Sequence, residues 1–254
     1  MKNKLYNYLL LLGDNAMIIG HRLSELCGHG PSLETDIALT NISLDMFGQV
    51  RNYFQYAAEI KGDETHMGES EDDIAFLRYE HEYKNALLVE QKNVDFAHVI
   101  ARQYFFDAYH ILLLKQLCNS KDGQIAAIAN KSLKEVKYHH RFSSEWVKRL
   151  GDGTDISHQK MQAAVDYLYP YLNELTEETE LEKEMKEAGI GADLNKINKQ
   201  YFANIEALLK EATLEIPENI FSQSGGKKGV HSEHLGFILA DLQYMQRAYP
   251  DMAW

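Results

Sequence analysis

The stretch LETDIALTNISLDMFGQVRNYFQYAAEI, residues 33–60, carries apolar side chains at a helical spacing. The residues at that spacing are Ile37, Ile42, Phe47, Val50, Phe54 and Ala57. Apolar residues at this spacing indicate a helix with a side that other helices must cover. Ser32 can cap the first turn, and Gly62 follows the last apolar turn as an end signal. The stretch therefore predicts one long amphipathic helix of a helical bundle.

Three other stretches, residues 3–27, 96–117 and 122–150, show the same periodicity over similar lengths. The first ends at Gly28-His29-Gly30-Pro31, a helix stop followed by a proline. Only four prolines occur in the chain, so little interrupts long helices. Shorter helices are expected at about 74–90, 157–175, 178–188, 195–213 and 231–248.

A long crossover, residues 61–95, separates the second long helix from the third. One crossover of this kind is the connection typical of ferritin-like bundles. The sequence thus predicts an all-α fold, a ferritin-like four-helix bundle over about 3–150 with additional C-terminal helices over about 157–248. We expect a single ferritin-like domain, residues 1–254.

The composition excludes several classes of partner. The formal net charge is −12, which argues against nucleic acid and against an anionic membrane surface. The two cysteines, Cys27 and Cys118, form no C-x-x-C motif and are typical of a reducing cytoplasm. The apolar run after Lys2 and Lys4 is too short for a signal peptide, and no stretch of ~20 apolar residues could span a membrane. We expect a cytoplasmic protein.

A ferritin-like bundle raises the question of a di-iron site, which needs Glu-x-x-His on two helices and a Glu on each of the other two. No Glu in the chain is followed by a His three residues later. The second long helix has Asp45 and Gly48 at that spacing, and the fourth has Val136 three residues before His139. The nearest substitute is Asp107-x-x-His110 on the third long helix. The spacing predicts that this chain binds no metal and has no catalytic residues of its own.

The polar residues expected inside the bundle are interpreted as a vestigial metal-site core. They are Asp14, Asp45, Asp107, His110, Glu135 and His139. Because a buried carboxylate without a partner is costly, we expect basic side chains to replace the iron ions as counter-charges. The basic residues nearby in sequence are Arg22, Arg51, Arg102 and Arg141. The alternative is that several of these acids face water.

Segments along nearly the whole chain resemble the C subunit of phenylacetyl-CoA epoxidase. They are LGDN at 12–15, CGHGP at 27–31, NISLDMFGQVRN at 41–52, LVEQ at 88–91, residues 96–109 with IARQY at 100–104, KEVKYH at 134–139, GDGTD at 151–155 and GGKKGVHSEHLG at 225–236. An acidic insert around residues 64–73 departs from this pattern and is expected in the crossover loop.

The resemblance implies a ferritin-like structural subunit that pairs with a catalytic A subunit, which carries the di-iron site. That assembly epoxidises the ring of phenylacetyl-CoA with O2 and electrons from a separate reductase. The cofactor would then reside in the partner, and contact with phenylacetyl-CoA would be indirect. A subunit that buries a large face is expected to form a homo-oligomer when isolated. Two alternatives stay open, a stand-alone di-iron oxidase of ferritin-like fold and an adaptor for another acyl-CoA enzyme.

Two late motifs carry further predictions. Gly225, Gly226, Lys227 and Lys228 form a basic loop before a helix, where backbone amides can bind a phosphate. We expect this loop to contact an acidic partner or the phosphates of CoA, the alternative being a flexible turn with solvated lysines. The pair His231-x-x-His234 could bind a metal, but a helix start capped by Ser232 or by the preceding loop is the favoured interpretation.

Overall fold

The computed structural model describes residues 2–62, 70–218 and 220–250, and no strand occurs among them. Its α-helices are α1 Lys2–Ser24, α2 Leu33–Gly62, α3 Glu71–Phe76, α4 Leu87–Glu90, α5 Phe96–Leu117, α6 Gly123–Gly151, α7 Asp155–Leu168, α8 Leu172–Thr176, α9 Glu180–Glu187, α10 Leu194–Glu211 and α11 Glu233–Ala248. Short 3-10 turns lie at Glu80–Glu82, Tyr169–Tyr171 and Gly226–Lys228. The all-helical, ferritin-like prediction is confirmed, and the four long helices have nearly the predicted bounds.

The helices α1, α2, α5 and α6 form the centre of the molecule. Helix α1 packs along α2, α5 packs along α6, and α2 also contacts α6. Helix α5 is buried on almost every side, because α7 and α10 cover the side that the bundle leaves open. A helix with apolar residues all round must be covered in this way. The C-terminal helices are therefore part of one continuous core rather than an addition to a finished bundle.

The crossover departs from the prediction of a helix at about 74–90. It contains α3, one 3-10 turn and the single-turn α4, joined by extended backbone. Ser70 caps α3 by accepting a hydrogen bond from Asp73 N, and Asp73 accepts one from Ser70 N in return. The acidic insert predicted as a loop thus supplies the first turn of α3, while its residues 63–69 lie outside the described part of the chain.

No helix in the described ranges is both long and apolar enough to traverse a lipid bilayer.

Close contact between α1 and α2 depends on Gly13. A Cβ placed on this residue would lie 2.3 Å from Cε1 of Phe54, a buried ring that Arg78 covers from the other side. Gly48, in the middle of α2, is the opposite case. A Cβ placed there would meet no described atom within 4 Å outside its own helix backbone.

We therefore expect Gly13→Ala and Gly48→Ala to change stability in opposite directions. Gly13→Ala should lower the free energy of unfolding by ~1–3 kcal/mol, because the overpacked ring must move. Gly48→Ala should leave it unchanged or raise it by up to ~1 kcal/mol, since alanine is the better helix former. Urea unfolding followed by circular dichroism measures both. Equal losses in the two variants would contradict this account.

Candidate functional site

A layer of polar side chains lies inside the bundle between α2, α5 and α6. Its centre is the carboxylate of Asp107 on α5, which is fully buried. Gln103 Nε2, one turn earlier on the same helix, donates to Oδ1 at 2.7 Å. Ser143 Oγ on α6 donates to Oδ2 at 2.7 Å. Both partners are neutral, so no charge of opposite sign compensates this carboxylate by direct hydrogen bonding.

Burial raises the pKa of Asp107 to about 7, and the nearby His139 and the hydrogen bonds from Ser143 and Gln103 oppose the rise. This sign matters for stability. A carboxyl group whose pKa is higher in the folded than in the unfolded chain does not lower the free energy of unfolding at pH values below its unfolded pKa. The cost grows as the pH rises above that value and is complete above about 7.

His139 on α6 joins this layer to the edge of the bundle. Its Nε2 lies 2.9 Å from Oδ2 of Asp45 on α2, whose side chain is 38% exposed. Glu135, one turn before His139, is half-buried, and burial together with the Asp45 charge raises the pKa of its carboxyl group. Asp45 and Glu135 thus stand at the border of the bundle with access to water, as the alternative interpretation of the sequence expected for some of the acids.

Several buried polar atoms in this layer have no hydrogen-bond partner among the described residues. They are Nδ1 of His139, Nδ1 of His110, Oε1 of Gln103 and both polar atoms of the Gln49 amide. Burial, aided by His139, lowers the pKa of His110 to about 3, so its imidazole is neutral. Unpaired buried polar atoms are uncommon in folded proteins. The layer therefore contains more buried polar atoms than the hydrogen bonds among the described residues satisfy.

This donor set does not fit a pair of iron ions. On α2 the inward residue is Gln49, while Gly48 is exposed, so the interpretation of Gly48 as an inward ligand position is wrong. On α6 the residue three positions before His139 is the buried, apolar Val136. Within the described residues no three side chains of His, Cys, Asp or Glu lie close enough together to hold a metal ion. Two iron ions need more carboxylates than this interior offers.

Asp14, the acid on α1, has a basic partner that the sequence did not indicate. Arg78, from the crossover, donates to Oδ2 of Asp14 from Nη1 at 3.0 Å and to Oδ1 from Nη2. The backbone N–H of Lys84 also donates to Oδ2, at 2.8 Å. The guanidinium lies 4.1 Å from the ring centre of Tyr83. The counter-charge hypothesis therefore holds for Asp14, but with Arg78 in the role.

The four arginines named from the sequence have other partners. Arg22 donates to the Glu90 carbonyl and pairs with Glu25. Arg102 is fully buried and donates to the carbonyl of Gln91 and to the side chain of Asn93. Burial lowers the pKa of Arg102 to about 9. Arg51 and Arg141 are exposed at the surface. Helical spacing could not predict these contacts. Arg22 and Arg102 both bind residues of the crossover, which lie outside their own helices.

The backbone amides of the basic loop at 225–228 are bound by a carboxylate of the same chain. Glu174 on α8 accepts hydrogen bonds at Oε1 from the amides of Gly225, at 2.7 Å, and Lys227, at 3.3 Å. Its Oε2 accepts from Leu87 N at 2.7 Å. An internal carboxylate thus holds the amides that were expected to face a phosphate.

The side chain of Lys227 is buried and pairs with Glu182 at 2.8 Å. The expectation of a solvated or ligand-facing Lys227 is therefore wrong, since its ammonium group is used inside the chain. Gly226 lies so close to the crossover that a Cβ would be 2.3 Å from the Asn85 carbonyl oxygen. Only Lys228 of the two lysines is exposed, and contact with a partner or with CoA stays a prediction for that residue.

His231 binds the crossover rather than a metal. Its Nδ1 lies 2.6 Å from Oε1 of the fully buried Glu90, and its Nε2 lies 3.0 Å from the Tyr83 carbonyl oxygen. Both ring nitrogens can serve these acceptors only as donors, so the imidazole carries a proton on each. Ser232 stands before α11, but its hydroxyl donates to Oε2 of Glu90 at 2.6 Å. The predicted helix start at Ser232 is confirmed, but of the two caps expected there, the one by the Ser232 side chain is wrong.

The contacts of Glu90 raise the pKa of His231 against the opposing effect of burial. A histidine with a raised folded pKa stabilises the fold below its unfolded pKa, and this contribution is lost as the pH rises through the folded pKa. We expect His231→Gln to cost ~1.5–3 kcal/mol at pH 5.5, the range for hydrogen bonds to charged groups, and less at pH 9. Urea unfolding at both pH values checks this. An equal cost at the two would contradict the imidazolium assignment.

For Asp107 the pH dependence has the opposite sense. Asp107→Asn removes the ionisable group, and its amide can still accept from Gln103 Nε2 while its NH2 donates to Ser143 Oγ, so that only the bond with Ser143 reverses. We expect the variant to be more stable than the natural chain at pH 8, by on the order of 3 kcal/mol, and to lose this advantage towards pH 4. Thermal and urea unfolding across this range measure it, with Asp72→Asn, an exposed acid in the first turn of α3, as the control. A gain that does not depend on pH would count against a buried carboxyl with a raised pKa.

These features together define a helical, ferritin-like protein with a polar interior and a crossover tied to the C-terminal part by hydrogen bonds of the buried Glu90 and Glu174. The whole chain, residues 1–254, matches the family described as phenylacetic acid catabolic protein, and the chain belongs to that family. It is 47% identical over 252 residues to the C subunit of 1,2-phenylacetyl-CoA epoxidase from Escherichia coli (strain K12). That match covers 99% of this chain and 100% of the relative, and it confirms the resemblance found in the sequence.

Proposed function

We propose that this chain is the structural subunit of a phenylacetyl-CoA epoxidase complex, without a di-iron site of its own, and that it stabilises the catalytic di-iron subunit. The family and the full-length similarity to an epoxidase C subunit support the place in the complex. The interior of the bundle supports the non-catalytic role. In this proposal the oxygen chemistry belongs to the partner, and this chain supplies a rigid surface.

The observation that carries the proposal is the environment of Asp107. It is the one fully buried acid of the α2–α5–α6 layer in the described residues, and neutral groups satisfy it. Carboxylates that bind two iron ions must be ionised and must converge on the metals. Here the only carboxylate buried in the described layer is bound by the neutral Gln103 and Ser143, and Val136 and Gln49 occupy inward positions of the flanking helices. The stand-alone di-iron oxidase is disfavoured for the same reason.

The outer side of α2 is the surface that we assign to the catalytic partner. Leu33, Ile37, Leu44 and Gly48 share one side of this helix. Leu33 is 72% exposed and Leu44 is 60% exposed. Glycine inside a helix costs about 1 kcal/mol of stability relative to alanine, and no neighbour among the described residues requires it at position 48. The close approach of a partner helix would explain a glycine at this place.

The neighbouring part of α6 extends the same surface. A groove of about 390 Å³ runs between the two helices. Its apolar lining comes from Ala38 on α2 and from Tyr138, Phe142 and Trp146 on α6, and its polar lining from Glu34, Thr35, Arg141, Glu145 and Arg149. Aromatic residues and arginine are the side chains enriched at protein interfaces. The stripe on α2 together with this groove is called the α2–α6 face below.

Iron content and partner binding test the proposal together. We expect the isolated chain to bind iron far below two ions per molecule and to show no O2-dependent turnover of phenylacetyl-CoA. The co-expressed pair with the catalytic subunit should contain the iron and carry out the epoxidation when the reductase is added. Two tightly bound iron ions in the isolated chain would refute the proposal. A chain that copurifies with another acyl-CoA enzyme instead would favour the adaptor alternative.

Gly48→Arg should separate partner binding from folding. The open space around position 48 leaves stability unchanged, while the arginine blocks a close approach. We expect copurification with the catalytic subunit to fall by roughly tenfold or more, the effect typical of a residue at the centre of an interface. Ile156→Arg, at the exposed start of α7, is the matched control and should leave copurification intact. Loss in both variants, or in neither, would exclude the α2–α6 face.

A further inference from the structure

Helix α11 carries apolar residues on two opposite sides. Its inner side packs Leu235, Ile238 and Leu239 into the core. Its outer side exposes Phe237 by 68% and Tyr244 by 62%. A helix that faces water on one side is expected to be polar there. Exposed aromatic residues along a helix therefore mark a surface that another protein covers.

The outer side is shaped as well as apolar. The outer α11 face consists of Glu233, Gly236, Phe237, Ala240, Tyr244 and Arg247. A groove of about 550 Å³ lies beside it, between α11 and the crossover turn that contains Tyr79 and Glu80. Gly236, Ala240 and Tyr244 line this groove. The face thus presents protruding rings next to a recess of small residues on one continuous surface.

The residues along this face are arranged so that two antiparallel copies of the helix would be complementary to each other. Gly236 and Tyr244 are equally far from Ala240 in sequence, and so are Glu233 and Arg247. If two copies of α11 packed antiparallel around Ala240, each Tyr244 ring would face the other copy's Gly236. Each Glu233 would at the same time face the other copy's Arg247. A twofold contact requires a self-complementary surface of this kind.

The charges at the two ends are placed for such a contact. Arg247 Nε donates to Gln243 at 2.9 Å, and Nη2 donates to the carbonyls of Leu77 and Arg78. These bonds fix the guanidinium at the surface and use no carboxylate. Glu233 lies in the first turn of α11, is exposed, and makes no ion pair with a described residue. Opposite charges at opposite ends of one helix favour antiparallel pairing and disfavour parallel pairing.

We infer that the outer α11 face binds the same face of a second copy of this chain, antiparallel around a twofold axis at Ala240. The small Ala240 lets the two helices approach closely, and Phe237 packs near the Tyr244 ring of the other copy. This inference does not rest on the proposed function. It makes the expected homo-oligomer specific, and it leaves the α2–α6 face free for the catalytic subunit.

Sedimentation of the isolated full-length chain tests the inference. We expect a dimer at micromolar concentration, and Ala240→Arg should weaken it by roughly tenfold or more, because two arginines would meet at the axis. Ile156→Arg is the control and should leave the dimer intact. A natural chain that stays monomeric at high concentration, or an Ala240→Arg variant that still dimerises, overturns the inference. Circular dichroism confirms that each variant folds.

Cross-linking gives a second readout that does not depend on weakening the contact. In a background with Cys27→Ser and Cys118→Ser, Ala240→Cys should form a disulfide-linked dimer on mild oxidation, and Ile156→Cys should not. Absence of the cross-link at position 240 would refute a twofold axis there. If Ala240→Arg left the mass of the isolated chain unchanged but abolished copurification with the catalytic subunit, the face would belong to that subunit and the inference would be wrong.

Discussion

The buried ion pair between Asp14 and Arg78 is the constraint on which the rest of the fold depends. A carboxylate inside a helical bundle must be hydrogen-bonded, and for Asp14 the crossover supplies both the guanidinium of Arg78 and the amide of Lys84. Arg78 therefore has to reach inward, and the crossover follows extended backbone instead of continuing as a helix. Once the crossover lies there, the amide of Lys84 also bonds to Asp14.

The same requirement is met repeatedly towards the C-terminus. Glu90 from the crossover binds His231 and Ser232, and Glu174 binds the amides of the basic loop and of Leu87. Each buried acid thus joins two segments that are distant in sequence. These contacts explain why the C-terminal third folds onto the bundle as one core. They also explain why a loop that resembles an anion-binding site in sequence is satisfied internally.

The interior near Asp107 and the outer surfaces of α2 and α11 lead to one functional picture. Inside, neutral partners replace the charges that a metal centre would need. Outside, two separate helix sides expose apolar residues that no described residue of this chain covers. A glycine on α2 and a small residue at the middle of α11 both permit close approach of another helix. The proposed structural subunit, which would act through its surfaces, is consistent with both observations.

The sequence by itself determined the all-helical class, the long helices and the absence of Glu-x-x-His, because helical periodicity and ligand spacing are local properties. Only the tertiary structure decided that Gly48 faces outward and Gln49 inward, that Arg78 rather than Arg22, Arg51, Arg102 or Arg141 neutralises Asp14, and that Lys227 is buried. It also decided which acids reach water. A buried charge is satisfied by whichever group the fold brings within hydrogen-bond distance, and that group is usually remote along the chain.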